Sequence, residues 1–243
     1  ENSLVGFDFA LSIGVELLEF DVVMTRDSVP VITHNHRLHN ATFRDTDGLF
    51  LRGEEPKVSS LKLEDVARFD IGRLNGHSTY GQRFPDQAQI DGIRVPTLDD
   101  LLQLVSQPQN QRAHLMLELK SDPDMGQDAH YRRELVAAVV AQVRAAGVES
   151  RTLLHSFDWD LLAECQRQAP DIPASYLSQM PENEADKGED SSMSVAPSFD
   201  QGVQSIPAKV KEAGGRLWCP YLADITPESL AIARELGLIV VVW

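Results

Sequence analysis

The chain has 243 residues, of which 42% are hydrophobic and 24% charged, and its formal net charge at pH 7 is −15. This size suits one large globular domain, and an acidic chain without a basic stripe disfavours nucleic-acid binding and attachment to an anionic membrane. No apolar run approaches the roughly 18 residues of a membrane-spanning helix. An anionic substrate would therefore need local positive charge, such as a metal ion.

Short apolar strands alternate with helices along the chain. Strands are predicted at 17–25, 30–34, 114–120, 152–157, 174–179, 216–222 and 238–243. The residues Ser3, Thr97, Asp158 and Thr226 are predicted to cap helices between them. This alternation is typical of an α/β protein with a parallel sheet, and seven strands are one fewer than a TIM-type (β/α)8 barrel contains. We expect the missing first strand upstream of Glu1.

Two segments interrupt this alternation. Residues 37–96 follow what would be the third barrel strand and have few apolar residues, so we interpret them as a small insertion without a core of its own. A short helix is predicted within them near 61–69. Residues 181–201 are acidic and serine-rich, which is typical of a loop. The whole of 1–243 is therefore predicted to be a single barrel domain, truncated at both ends.

Two carboxylates lie one residue apart in the first strand, in the sequence LLEFDVVM. Residues at positions i and i+2 of a strand point to the same face, so Glu19 and Asp21 would have Cα atoms roughly 6.5–7 Å apart. Burying both costs several kcal/mol unless a cation compensates them. Ca²⁺ or Mg²⁺ would suit such oxygen ligands. Taken alone, however, such a pair is more often salt-bridged to Lys or Arg.

A second strand, HLMLELK, repeats this spacing with Glu118 and Lys120. In a parallel barrel, side chains near the carboxyl ends of the strands surround the active-site mouth. Three carboxylates and a lysine could therefore surround a cation and an anionic substrate. A lone lysine is more often a salt-bridge partner than a phosphate ligand.

Several histidines follow predicted strands. His34 ends the strand PVITH, and histidine is the usual side chain for proton transfer near neutral pH. His36 and His39 lie in a predicted loop, where solvated or packing roles are expected. His155 and Ser156 end a further strand and could line the pocket. No acid is spaced to make Ser156 a triad nucleophile.

These residues resemble the glycerophosphodiester phosphodiesterase family. Residues 14–35, GVELLEFDVVMTRDSVPVITHN, resemble its block G-A-D-x-I-E-x-D-V-x-x-T-x-D-x-x-P-V-V-x-H-D almost position for position. ENS at the start resembles the end of its HRG…PEN-S/T opening. Four later segments also resemble family motifs. IRVPTLDDLL resembles IPTL-x-E-x-L, LELK resembles I-E-I-K, LLHSF resembles ISSF, and LIVVVW resembles the strand before W-T-V-N. The resemblance covers nearly the whole chain.

The resemblance implies a TIM-type barrel that hydrolyses glycerophosphodiesters to glycerol 3-phosphate and an alcohol. By position, Glu19, Asp21 and Glu118 would hold one divalent cation, Ca²⁺ or Mg²⁺, and Lys120 would help to hold the phosphate. His34 would be one of two catalytic histidines and act as the general acid. In the family's mechanism a glycerol hydroxyl attacks phosphorus, and water then opens the cyclic phosphate.

The sequence departs from the family pattern at two places. The HRG segment, with the first catalytic histidine and an arginine, is absent, and we expect it upstream. Asn35 stands where the family usually has Asp and supplies no charge. Asn35, His155 and Trp243 are further candidates for lining the pocket.

Two alternative functions remain open. One is a lipid phosphodiesterase of the lysophospholipase D or sphingomyelinase D kind, which an apolar patch at the mouth would favour; Phe50, Phe69 and Phe84 are candidates. The other is a non-catalytic barrel that binds a phosphodiester. Neither nucleic acid nor stable membrane insertion is expected, and the long insertion resembles exported bacterial enzymes more than cytoplasmic ones.

Overall fold

A mainly parallel sheet forms the centre of the molecule. The computed structural model describes residues 2–122, 124, 128–180, 196–199 and 201–243. In these residues the strands are β1 (Leu17–Met24), β2 (Pro30–Ile32), β3 (His114–Leu119), β4 (Thr152–Ser156), β5 (Ala174–Ser178), β6 (Leu217–Pro220) and β7 (Ile239–Val240). The helices are α1 (Leu4–Ser12), α2 (Leu63–Val66), α3 (Thr79–Arg83), α4 (Leu98–Val105), α5 (Ala129–Ala145), α6 (Trp159–Gln168), α7 (Ile206–Glu212) and α8 (Pro227–Glu235). The predicted strands are all present, although most are shorter than predicted.

The order of the strands is β2-β1-β3-β4-β5-β6-β7, and every pair from β1 to β7 is parallel. In this register Asp21 lies opposite Glu118, and Glu118 lies opposite His155. Residues opposite each other in neighbouring strands share a face of the sheet. The register therefore brings the acids of two strands to one face.

The strand β2 corrects one prediction. It pairs antiparallel to β1, from Val22 opposite Ile32 to Met24 opposite Pro30. The prediction of 30–34 as a parallel barrel strand is therefore wrong. Only residues 25–29 separate the two strands, and a connection that short can join antiparallel strands only, because a parallel pair needs a crossover of about a dozen residues or more.

The two faces of the sheet carry different side chains. Along β3, Leu115, Leu117 and Leu119 are fully buried in the large apolar cluster against the helices. Met116 belongs to a smaller inner cluster with Phe157, Leu177 and Cys219. Glu118 follows Met116 by two residues, so Glu118 and Asp21 opposite it lie beyond this apolar layer, whereas Glu19 lies opposite Met116.

The predicted helix caps are confirmed. Each predicted cap accepts a hydrogen bond through its side chain from a backbone N–H in the first turn of the following helix. The four caps are Ser3, Thr97, Asp158 and Thr226. Of the loop predicted at 181–201, residues 181–195 and 200 lie outside the described residues. Within the described chain, no helix is both long and apolar enough to cross a bilayer.

Residues 37–96 contain more apolar packing than predicted. Their buried side chains, together with Val23 and Val31 of the sheet, form one cluster; they are Leu38, Phe43, Val58, Val66 and Val95. Phe69 packs against this cluster, Phe50 is half-buried and Phe84 is exposed. The segment therefore has a core that it shares with β1 and β2, and its predicted helix shortens to α2.

Candidate active site

Three carboxylates converge on one face of the sheet where β1 pairs with β3. Each of Glu19, Asp21 and Glu118 has an oxygen within 4.8 Å of an oxygen of the others, and we call these three residues the acidic cluster. Asp21 and Glu118 are buried, whereas Glu19 is exposed. Glu19, Asp21 and His34 border a cavity of about 400 Å³, so the cluster is open to a ligand from one side.

Lys120 is the positive group of this site. Its Nζ lies 3.3 Å from Oδ1 of Asp21 and 3.6 Å from Oε1 of Glu118, and only 1% of its side chain is exposed. Burial by itself would raise the pKa of Asp21, but Lys120, His34 and a hydrogen bond from Asn2 together lower it below 3.8. Asp21 is therefore ionised at neutral pH. Three carboxylates, two of them paired with one ammonium group, fit a divalent cation bound through oxygen ligands.

His34 is placed by the chain just after β2. The backbone N–H of Thr33 donates to the carbonyl oxygen of Asp21 at 3.1 Å, which brings the next residue beside the acidic cluster. Nδ1 of His34 lies 3.3 Å from Oδ1 of Asn35. Asn35 thus contacts the ring through an oxygen, as an aspartate there could, but without a charge. Both residues border a second, smaller cavity of about 30 Å³.

Asn2 contacts Asp21 through both ends of its side-chain amide. Nδ2 of Asn2 donates to Oδ2 of Asp21 at 2.7 Å, and the backbone N–H of Asp21 donates to Oδ1 of Asn2 at 3.4 Å. Asn2 belongs to the ENS segment that resembles the family's opening, and its local sequence predicts no role for it. The two residues are 19 positions apart, so only the folded chain reveals the contact.

The other pocket candidates lie deeper or farther away. His155 is 3% exposed beside Glu118; burial lowers its pKa to about 3, so the ring is neutral, and its Nδ1 has no hydrogen-bond partner among the described residues. Trp243 packs edge-on against Phe157 and is 43% exposed. In the described structure neither His155 nor Trp243 borders the two cavities, whereas Asn35 borders the smaller one.

A family model described as the Glycerophosphoryl diester phosphodiesterase family matches residues 1–243. The chain belongs to this family. The family resemblance seen in the sequence is thereby confirmed, and so is the expected class of fold, an α/β fold with a mainly parallel sheet.

Solved structures and curated relatives agree with this membership. A Silicibacter pomeroyi DSS-3 protein classed with the glycerophosphoryl diester phosphodiesterases is 51% identical, with a TM-score of 0.90 over 100% of this chain and 77% of that one. An Oleispira antarctica phosphodiesterase, solved with the product sn-glycerol-3-phosphate, is 20% identical, with a TM-score of 0.69 over 100% of this chain and 78% of that one, which shows the shared fold.

Among curated proteins, a glycerophosphodiester phosphodiesterase of Bacillus altitudinis is 25% identical over 86% of this chain and 68% of its own length. Other curated relatives are matched over as little as 40% of their length. The chain therefore spans about two fifths to two thirds of the length of the curated relatives that it matches.

Proposed function

We propose that the protein hydrolyses glycerophosphodiesters to glycerol 3-phosphate and an alcohol and that it requires a divalent cation, Ca²⁺ or Mg²⁺. The observation that carries this proposal is the acidic cluster with Lys120, beside His34 and open to the larger cavity. Family membership supports it, as does the Oleispira antarctica relative, which binds sn-glycerol-3-phosphate.

The carboxylates of Glu19, Asp21 and Glu118 would hold the cation. When bound, the cation would act as a Lewis acid that neutralises charge on the phosphodiester. Lys120 balances part of the carboxylate charge and is proposed to help hold the phosphate. Without these positive charges, the excess carboxylates would repel an anionic substrate.

His34 would donate a proton to the oxygen of the leaving alcohol. Asn35, 3.3 Å from Nδ1, would orient the ring so that Nε2 faces the substrate. A positioned general acid of this kind contributes about 10²–10⁴-fold to a rate. The sequence 1–243 contains no HRG segment, so it supplies one histidine of the pair that the family uses.

The test is the release of glycerol 3-phosphate from glycerophosphocholine and glycerophosphoethanolamine by the natural protein that carries this sequence. We expect EDTA to abolish release and Ca²⁺ or Mg²⁺ to restore it. The variant Glu118→Gln should stay inactive with either metal, whereas Glu134→Gln, a matched change on the exposed surface of α5, should match the wild type. Release that is unaffected by EDTA would contradict the metal requirement, and no release from the folded protein would contradict the substrate.

One observation favours a lipid substrate as the second candidate. Val5 and Phe9 on α1 and Ile13 at its C-cap are exposed apolar side chains. The same helix contributes Phe7 and Ala10 to the larger cavity. A lysophospholipid could bury its acyl chain against these exposed side chains. Release of choline from lysophosphatidylcholine that exceeds release from glycerophosphocholine would favour this candidate, and the reverse ratio would exclude it as the main activity.

A further inference from the structure

Asn2 holds a carboxylate that is itself part of the proposed metal site. Of the two Asp21 oxygens, Oδ1 faces Lys120 at 3.3 Å and Oδ2 accepts from Nδ2 of Asn2 at 2.7 Å. A rotation of the carboxylate about χ2 would disrupt both contacts. The plane of the Asp21 carboxylate is therefore set from two sides, by one charged and one neutral donor.

The neutrality of the second donor has a chemical consequence. A lysine or arginine in place of Asn2 would also hold Oδ2, but its charge would repel a bound cation. An amide fixes the oxygen and leaves the charge of the carboxylate in place. This is the combination that a metal ligand needs, because the hydrogen-bonding partners of ligands orient them and tune their affinity.

The backbone of Asn2 also suits this position. Its φ of +49° lies in the left-handed region, where asparagine is one of the few side chains that occur readily. The next residue, Ser3, accepts from the backbone N–H of Gly6 at 3.2 Å and caps α1. The left-handed turn thus lets one residue reach Asp21 while its neighbour begins the helix.

We propose that Asn2 is a positioning residue of the metal site: its amide holds the Asp21 carboxylate in the orientation that binds the cation. This inference rests on the proposed function, because it presumes that the acidic cluster binds a metal. Asn2 also borders both cavities, so the same side chain lies between the space beside Glu19 and the space beside Asn35.

The test is the affinity for Mg²⁺ and Ca²⁺, measured by isothermal titration calorimetry without substrate. Asn2→Gly removes the amide but tolerates a positive φ, so it separates the side chain from backbone strain. We expect it to weaken metal binding by about 10- to 100-fold, as loss of a ligand's orienting partner typically does. Ser3→Ala is the matched control, because it should lower the melting temperature through loss of the cap and leave metal affinity unchanged.

The outcomes separate this inference from the proposed function. If the wild type binds metal and Asn2→Gly binds it equally well, the inference is overturned and the metal site stands. Asp21→Asn is the negative control and should bind no metal. If the wild type also binds none, both the inference and the proposed metal site are overturned. If Asn2→Gly does not fold, Asn2→Ser serves instead, since its short hydroxyl cannot span both contacts; wild-type affinity in that variant would refute the inference.

Discussion

Two clusters of charged side chains in this molecule differ in their balance. In the acidic cluster three carboxylates lie together, and two of them, Asp21 and Glu118, pair with the ammonium group of Lys120. In residues 37–96, Arg44 pairs with Asp70 at 2.9 Å and with Asp91 at 2.6 Å, and Arg73 binds Asp91 through two nitrogens. We call these four residues the arginine–aspartate cluster. It contains as many positive as negative charges.

The balance of positive and negative charges differs with the role that each cluster can have. Asp70 also accepts from the backbone N–H groups of Gly72 and Gly92, at 2.8 and 2.6 Å, so this carboxylate is satisfied within the protein. The charges of the arginine–aspartate cluster balance one another, and its ion pairs link distant parts of residues 37–96. The acidic cluster has two more carboxylates than Lys120 can balance, one of them on the exposed Glu19, and this arrangement could bind a further cation. In this molecule an excess of carboxylates over positive groups, more than the number of charges, distinguishes the candidate metal site from a structural cluster of ion pairs.

Lys120→Met tests the difference between the two clusters most directly, and we expect it to have the largest effect. In EDTA, the variant should be destabilised by about 3–5 kcal/mol, because it leaves buried carboxylates without their partner. Saturating Mg²⁺ or Ca²⁺ should recover part of this loss, since the cation replaces the missing charge. Denaturant unfolding with and without metal measures both terms; a loss that metal does not reduce would contradict the comparison.

Arg44→Met is the corresponding change in the arginine–aspartate cluster. Arg44 and Asp70 are each 11% exposed, so we expect a loss of about 3 kcal/mol in unfolding free energy. Neither Mg²⁺ nor Ca²⁺ should recover it. Arg73→Met, at a side chain that is 39% exposed, is the control and should reduce the unfolding free energy by less, because water screens this pair. Equal losses in the two variants would show that burial does not separate these pairs.

Glu118→Gln should reduce the stabilisation of the protein by bound metal. Wild-type protein should gain about 2.7 kcal/mol at a metal concentration 100 times its Kd, and the variant should gain far less at the same concentration. Without metal, the variant should be as stable as the wild type, because one of the excess negative charges is removed. Thermal unfolding in EDTA and in metal measures this, and an undiminished shift would exclude Glu118 as a ligand.

The smallest effect concerns pH and Asp70. Burial would raise the pKa of Asp70, but the N–H groups of Gly72 and Gly92 and the Arg44 guanidinium lower it below its ordinary value of 3.8. The ionised form is thus favoured in the folded state, so Asp70 contributes stability above about pH 4 that is lost as pH falls through the lowered pKa. We expect the stability difference between wild type and Asp70→Asn, measured by urea unfolding in EDTA, to shrink below pH 4. A difference that stays constant from pH 6 to pH 3 would contradict this.

Part of the site could be predicted from local sequence. The strand period of two placed Glu19 with Asp21 on one face, and Glu118 with Lys120 on another strand in the same way. Capping residues such as Thr97 and Asp158 marked helix starts, because their side chains bond to N–H groups within one turn. These features depend on neighbours a few positions apart, which the sequence shows directly.

Contacts between residues that lie far apart in the sequence are seen only in the folded structure. Four contacts join residues whose spacing in the sequence does not predict that they meet. They are Asp21 opposite Glu118, β2 antiparallel to β1, Asn2 bonded to Asp21, and Arg44 paired with Asp70 and Asp91. Packing and hydrogen bonding in three dimensions select among many such pairings. The amino-acid sequence therefore specifies which chemical groups are available, while the fold brings charges together so that they balance in one cluster and carboxylates outnumber positive groups in the other.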